Sequence, residues 1–157
     1  MHPHIRILPA DRPVHWQAVR SLLWEYMSAR GFDPALGDYQ RELDGLPGEF
    51  QPPQGALLVA YQTEVPVGCI AFRRISQEVC EMKRMYVTPN ARGLGIGRML
   101  IEELEEAARH SGYQIMKLDT HPSMLAAQRL YTSLGFQEIE RYNQNPTLGI
   151  RFFGKSL

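Results

Sequence analysis

Residues 88–98, Thr-Pro-Asn-Ala-Arg-Gly-Leu-Gly-Ile-Gly-Arg, set Gly93, Gly95 and Gly97 between a β-rich run, Glu78 to Val87, and the most regular amphipathic stretch of the chain. Glycine adopts positive φ without strain and puts no Cβ in front of a neighbouring ligand. The first four N–H groups of a helix have no internal acceptor, and the helix dipole adds partial positive charge at the same end. A strand, such a turn and a helix start therefore predict an anion cradle. Arg92 and Arg98 flank the helix start, and the first acidic residue inside it is Glu102, the reverse of the usual acidic first turn. An external anion would supply the missing charge. A plain strand-to-helix turn, with glycines kept for packing and arginines facing solvent, fits the same residues.

Two common phosphate motifs fail here. A dinucleotide fingerprint G-x-G-x-x-G begun at Gly93 would end on Arg98, and no glycine is followed by Lys and then Ser or Thr as a Walker loop requires. The pyrophosphate of coenzyme A is the remaining good candidate.

The rest of the chain frames this turn. Ile5 to Leu8 reads as a strand, Asp11 as a cap and Pro13 as the first turn of a helix carrying Trp16, Val19, Leu23, Tyr26 and Met27 on one face, with Gly31 as its stop. A weaker helix is expected over Tyr39 to Leu46, and a proline- and glycine-rich loop from Leu46 to Gly55. Ala56 to Gln62, Val65 to Ile75 and Glu78 to Val87 read as three antiparallel strands. After them Ile96, Leu100, Leu104 and Ala107 or Ala108 line one helix face. Tyr113 to Asp119 is a strand, a helix runs from about Pro122 to a stop at Gly135, and Phe136 to Glu140 and Ile150 to Phe153 are closing strands. The predicted fold is α/β (α+β): one domain over residues 1–157, with a mixed, mostly antiparallel sheet flanked by helices in the order β-α-α-β-β-β-α-β-α-β-β.

Composition narrows the partners. Seventeen Lys and Arg balance seventeen Asp and Glu, so no global field favours nucleic acid or an anionic membrane. No apolar run reaches the ~20 residues of a spanning helix, and the expected location is the cytoplasm. The five histidines lack metal-ligand spacing, and Cys69 and Cys80 sit in apolar strands as reduced, buried thiols.

Arg92-x-x-Gly95-x-Gly97 after the strand Met82-Lys-Arg-Met-Tyr-Val87 resembles the R/Q-x-x-G-x-G/A motif of the GNAT superfamily of N-acetyltransferases. Ala127-Gln-Arg-Leu-Tyr131-Thr-Ser-Leu-Gly135-Phe136 resembles that superfamily's second motif, in the right order downstream. The similarity runs over about residues 56–140. It implies acetyl-CoA as acyl donor, with its pantetheine arm along the backbone of Met85 and Val87 and its pyrophosphate on the amides of Arg92, Gly93, Leu94, Gly95, Ile96, Gly97 and Arg98. It implies Tyr131 as the acid that protonates the departing thiolate, and it makes a homodimer possible. Met124 stands where the family often has an asparagine that touches the cofactor.

An alkyl amine with pKa near ~10 is mostly protonated at neutral pH, so some group must take its proton. Glu81, on the strand feeding the turn, resembles the glutamate base of histone-acetylating members; a salt-bridging strand glutamate is the other reading. Tyr131 lies on the face Ala127, Leu130, Tyr131, Leu134, which also suits a core tyrosine. Trp24, Tyr26, Phe50, His121, Tyr142 and Asn143 are the expected acceptor wall, and a small or amino-acid-like amine is the expected acceptor, with a protein amine or a non-catalytic thioester sensor as alternatives.

Overall fold

The computed structural model describes residues 4–31 and 38–157. Its strands are β1 (Ile5–Pro9), β2 (Ala56–Gln62), β3 (Val65–Arg74), β4 (Val79–Val87), β5 (Ile115–Thr120), β6 (Gln137–Ile139) and β7 (Arg151–Ser156). Its helices are α1 (Pro13–Ala29), α2 (Asp38–Asp44), α3 (Ile96–His110) and α4 (Leu125–Ser133). The strands form one sheet in the order β1-β2-β3-β4-β5-β7-β6, antiparallel throughout except between β4 and β5. Element order and fold class are those expected from sequence.

Each sheet face carries its own core. Against α3 lie Ile70, Phe72, Met82, Met116 and Leu118, where the helix inserts Ile96, Leu100, Leu104 and Ala108 at helical spacing. Burying each leucine or isoleucine is worth about 2 kcal/mol. Gly68 permits this close approach: a Cβ there would lie 3.2 Å from Leu100 Cδ1 and 3.0 Å from the Tyr86 carbonyl oxygen. Against α1 lie Val59, Cys69, Ala71 and Tyr86, closed over by Val19, Leu23, Leu43 and Phe50.

Local signals were displaced at several ends. The cap of α1 is Arg12, with no side-chain bond, while the Asp11 N–H donates to His15 Nδ1 at 3.3 Å; Pro13 does open the helix. Helix α4 begins at Leu125 because His121 to Met124 close a turn first, Met124 N–H donating to the His121 carbonyl at 3.0 Å. Strand β7 runs on to Ser156, since it pairs with the whole of β5. Gly31 and Gly135 follow their helix ends with φ of +81° and +97°, as left-handed stops.

The feature that positions the site is a split in the sheet. Strands β4 and β5 pair only from Val79–Ile115 to Glu81–Lys117, and then part. A bulge in β4 accompanies the split: Cys69 faces Tyr86 but Ala71 faces Lys83, so β4 carries one residue more than β3 there. Arg84 takes the positive φ of 60°. That conformation costs about 1 kcal/mol for a residue with a Cβ. It is offset by a bidentate ion pair, Arg84 Nε and Nη2 donating to Glu42 at 2.6 and 2.9 Å, and by stacking over the Tyr39 ring.

Cys69 and Cys80 are fully buried and unpaired with each other, as expected. Burial pushes both thiols up to about 12. A thiol reagent at pH 8 should therefore label neither in the native protein and both after unfolding. Above pH ~9 the unfolded thiols ionise while the folded ones do not. Their contribution to stability, complete below that pH, should thus fall as pH rises toward 12.

Candidate active site

The turn after β4 is built to leave amides open. Gly93 and Gly95 have φ of +84° and +80°, and a Cβ on either would meet no atom within 4 Å. Backbone conformation, not crowding by the chain, demands glycine there, and the space before it is clear. Gly95 is the left-handed cap of α3, and the helix takes up its bonding with Met99 N–H donating to the Gly95 carbonyl at 3.1 Å. The N–H groups from Gly93 to Arg98 find no backbone acceptor among the described residues, whereas that of Arg92, expected among them, donates to the Pro89 carbonyl at 3.3 Å and closes the preceding turn. Gly97 has a different reason: it lies inside α3, where a Cβ would come 3.1 Å from Leu130 Cδ2 on α4. No acidic residue occupies the first turn. The Arg92 side chain folds back to donate from Nε to the Val87 carbonyl at 3.2 Å, and Arg98 reaches Ser133 Oγ at 3.2 Å.

The parted strands enclose a cleft of about 210 Å³, walled by β4 from Met82 to Met85 and by β5 from Leu118 to Thr120, with Tyr26, His121 and Tyr131 at its sides. Helix α4 supplies Tyr131, whose ring packs on Phe136 and Phe153 with centroids 5.9 and 6.3 Å away. Burial, then the neighbouring Tyr26 and the Asp119 carboxylate, raise its hydroxyl above the ordinary phenol value. Its proton is therefore held throughout the neutral range.

Glu81 is 1% exposed and does not line the cleft. Its Oε1 accepts from Arg73 Nε at 2.7 Å, and its Oε2 accepts from the Tyr142 hydroxyl at 2.6 Å and from Asn143 Nδ2 at 3.4 Å. Asp119 does line the cleft. Its Oδ2 accepts from Asn143 Nδ2 at 2.7 Å and Asn145 Nδ2 at 3.3 Å, while Oδ1 meets no donor among the described residues. Two carboxylates thus strap the loop between β6 and β7 over the front of the sheet. The loop is shaped by its own side chains, Asn143 Oδ1 accepting from Asn145 N–H and Asn145 Oδ1 from Thr147 N–H, each at 3.0 Å.

Of the acceptor wall expected from sequence, Tyr26 and His121 line the cleft, and Tyr142 and Asn143 stand behind it as the strap. Phe50 is a core residue at 1% exposure, and Trp24 faces outward at 40%. Lys83 and Asp119 were missed. The signal available for them was two charges at alternate positions in each strand, Lys83 after Glu81 and Asp119 after Lys117.

Open amides at a helix start, next to a parallel strand pair that splits, are the arrangement that the resemblance to the GNAT superfamily implies for a coenzyme A thioester. Residues 16–136 match the model of the acetyltransferase (GNAT) family, and the chain belongs to it. It is 35% identical over 145 residues to an uncharacterized N-acetyltransferase of Schizosaccharomyces pombe, covering 91% of this chain and 89% of that one. In fold it is similar to an acetyltransferase from Streptococcus agalactiae, with TM-score 0.83, 23% identity and 98% of both chains covered. It is likewise similar to the yncA protein of Salmonella typhimurium, solved with its cofactor acetyl-CoA, with TM-score 0.72, 21% identity and 97% and 93% covered. As a member of that family the chain is an acetyl-CoA-dependent N-acetyltransferase. Among the described residues no helix is long and apolar enough to cross a membrane, and no group of three or more His, Cys, Asp or Glu is placed to hold a metal.

Proposed function

We propose that this enzyme acetylates the primary amine of a small, amino-acid-like acceptor in the cytoplasm, by direct attack on the thioester. One observation carries the reading: strand β4, whose Met82 to Met85 wall a cleft also lined by a protonated tyrosine, leads into consecutive amides, from Gly93 to Arg98, without backbone acceptors among the described residues. The residues fit the donor. Beyond Glu81, β4 has no backbone partner on its β5 side among the described residues, which leaves room along Met85 and Val87 for a pantetheine arm to add as a strand would. The amides of Gly93, Leu94, Gly95, Ile96, Gly97 and Arg98, with the α3 dipole behind them, suit a diphosphate, and Arg92 lies at the entry.

Acetyl-CoA, when bound, supplies an activated acetyl thioester. Transfer forms an N–C bond and breaks a C–S bond. Tyr131 holds at its hydroxyl the proton that the departing sulfur takes. The incoming ammonium gives up two protons, one to solvent and one that restores Tyr131. Glu81 acts by holding Tyr142 and Asn143 in place, because its oxygens are already occupied. A cleft of about 210 Å³ favours a small acceptor over a folded protein surface.

Thermal denaturation with and without acetyl-CoA, followed by free-thiol release against a panel of amines, amino acids and peptides, tests the reading. Stabilisation with amine-dependent thiol release is expected. Stabilisation without release from any acceptor would make the protein a thioester sensor, and no stabilisation would remove the site altogether.

A further inference from the structure

Strand alternation places Lys83 and Asp119 in a particular relation. Glu81 and Lys117 are the last partners of the parallel pair, and the next positions on the same sheet face are Lys83 on β4 and Asp119 on β5. The face is fixed by contacts at both levels: Tyr142 donates to Glu81 and its ring lies 5.3 Å from Lys117 Nζ, while Asn143 bonds both Glu81 and Asp119. In a sheet that stayed closed, Lys83 and Asp119 would be cross-strand neighbours and would neutralise each other. The split keeps them apart on opposite walls of the cleft, with no ion pair between them.

Neither charge is fully answered by the chain. Lys83 has one carboxylate within 4.0 Å among the described residues, Glu81 at 3.8 Å, and that group already holds Arg73 at 2.7 Å. Asp119 keeps Oδ1 free while Oδ2 is taken by the strap. The other cation in the wall, Arg84, is committed to Glu42 through two bonds. A partly covered cleft that holds one anion and one cation apart matches a ligand carrying the opposite pair.

We propose that the acceptor is a zwitterion of the α-amino acid class, its ammonium on Asp119 Oδ1 and its carboxylate on Lys83 Nζ. This rests on the reading of the cleft as the acceptor site. Asp119 then presents the nitrogen toward Tyr131, with which it shares the cleft.

The test compares α-amino acids with the amines that result from removing their carboxyl group, by acetyl-CoA-dependent thiol release. The wild-type enzyme is expected to favour the amino acid in kcat/KM by about tenfold or more, the worth of one charge-assisted contact. Lys83→Met should abolish that preference by lowering kcat/KM for the amino acid alone, and Lys83→Arg should restore part of it. Asp119→Asn, which keeps an oxygen for the strap, should lower both substrates, with acetyl-CoA affinity by calorimetry unchanged. Equal use of amines and amino acids by the wild type, or a preference that survives Lys83→Met, would overturn the proposal while leaving the acetyltransferase reading intact. Acetyl-CoA binding with no transfer to either substrate class would instead remove the acceptor site on which it rests.

Discussion

Gly95→Asp is expected to weaken acetyl-CoA binding by about 100-fold or more while the protein still folds. The position has φ of +80°, and a Cβ added there meets no atom within 4 Å. Aspartate is one of the few residues that visits the left-handed region, and its cost there is about 1 kcal/mol. For a chain of this size that lowers the melting temperature by only about 2–4 °C. The effect on binding is far larger. The carboxylate would stand where amides without acceptors and the α3 dipole converge, claiming the donors intended for a diphosphate and repelling its charge. Losing one or two charge-assisted bonds, each worth about 1.5–3 kcal/mol, accounts for the loss of affinity. Gly95→Ala shares the backbone strain without the charge, and it should lose much less. Calorimetry with both variants separates the two contributions. Near-normal affinity in Gly95→Asp would mean that the donor sits elsewhere.

The turn was legible because its properties are local: glycine spacing, an absent acidic first turn and an apolar period of 3.6 after it are all read within twenty residues. The two motifs also placed Tyr131 on the helix that delivers it to the cleft. What escaped depends on contacts distant in sequence. Glu81 meets Tyr142 and Asn143 from 61 and 62 residues away, through a loop whose polar sequence has no period to betray where it folds. No glycine marks the bulge at Arg84, and the cost of its positive φ is offset by Glu42 on another element, which holds the guanidinium. Asp119 and Lys83 look like ordinary strand charges until the split between β4 and β5 is known. The same dependence explains the helix ends: a cap at Asp11 was reasonable by residue type, yet His15 captures its N–H instead.

Tyr131→Phe is expected to lower kcat by about 100-fold, the usual worth of a positioned general acid, with acetyl-CoA affinity unchanged. The substitution isolates chemistry from folding unusually well. The ring's packing on Phe136 and Phe153 is retained, and the hydroxyl has no hydrogen-bond partner among the described residues, so its removal orphans no other group. Melting temperature should therefore hardly change. The pH profile gives a second readout. Burial raises the Tyr131 phenol above its usual value of 10, so in the wild type the acid stays protonated as pH rises through neutrality and somewhat beyond. The rate should climb with the neutral fraction of the acceptor amine, with no falling limb from Tyr131 below about pH 10. The variant should follow the same curve at reduced height, because the ionisation that shapes it belongs to the acceptor. Turnover within about twofold of wild type would assign the proton to another group and leave Tyr131 as a packing residue at the side of the cleft.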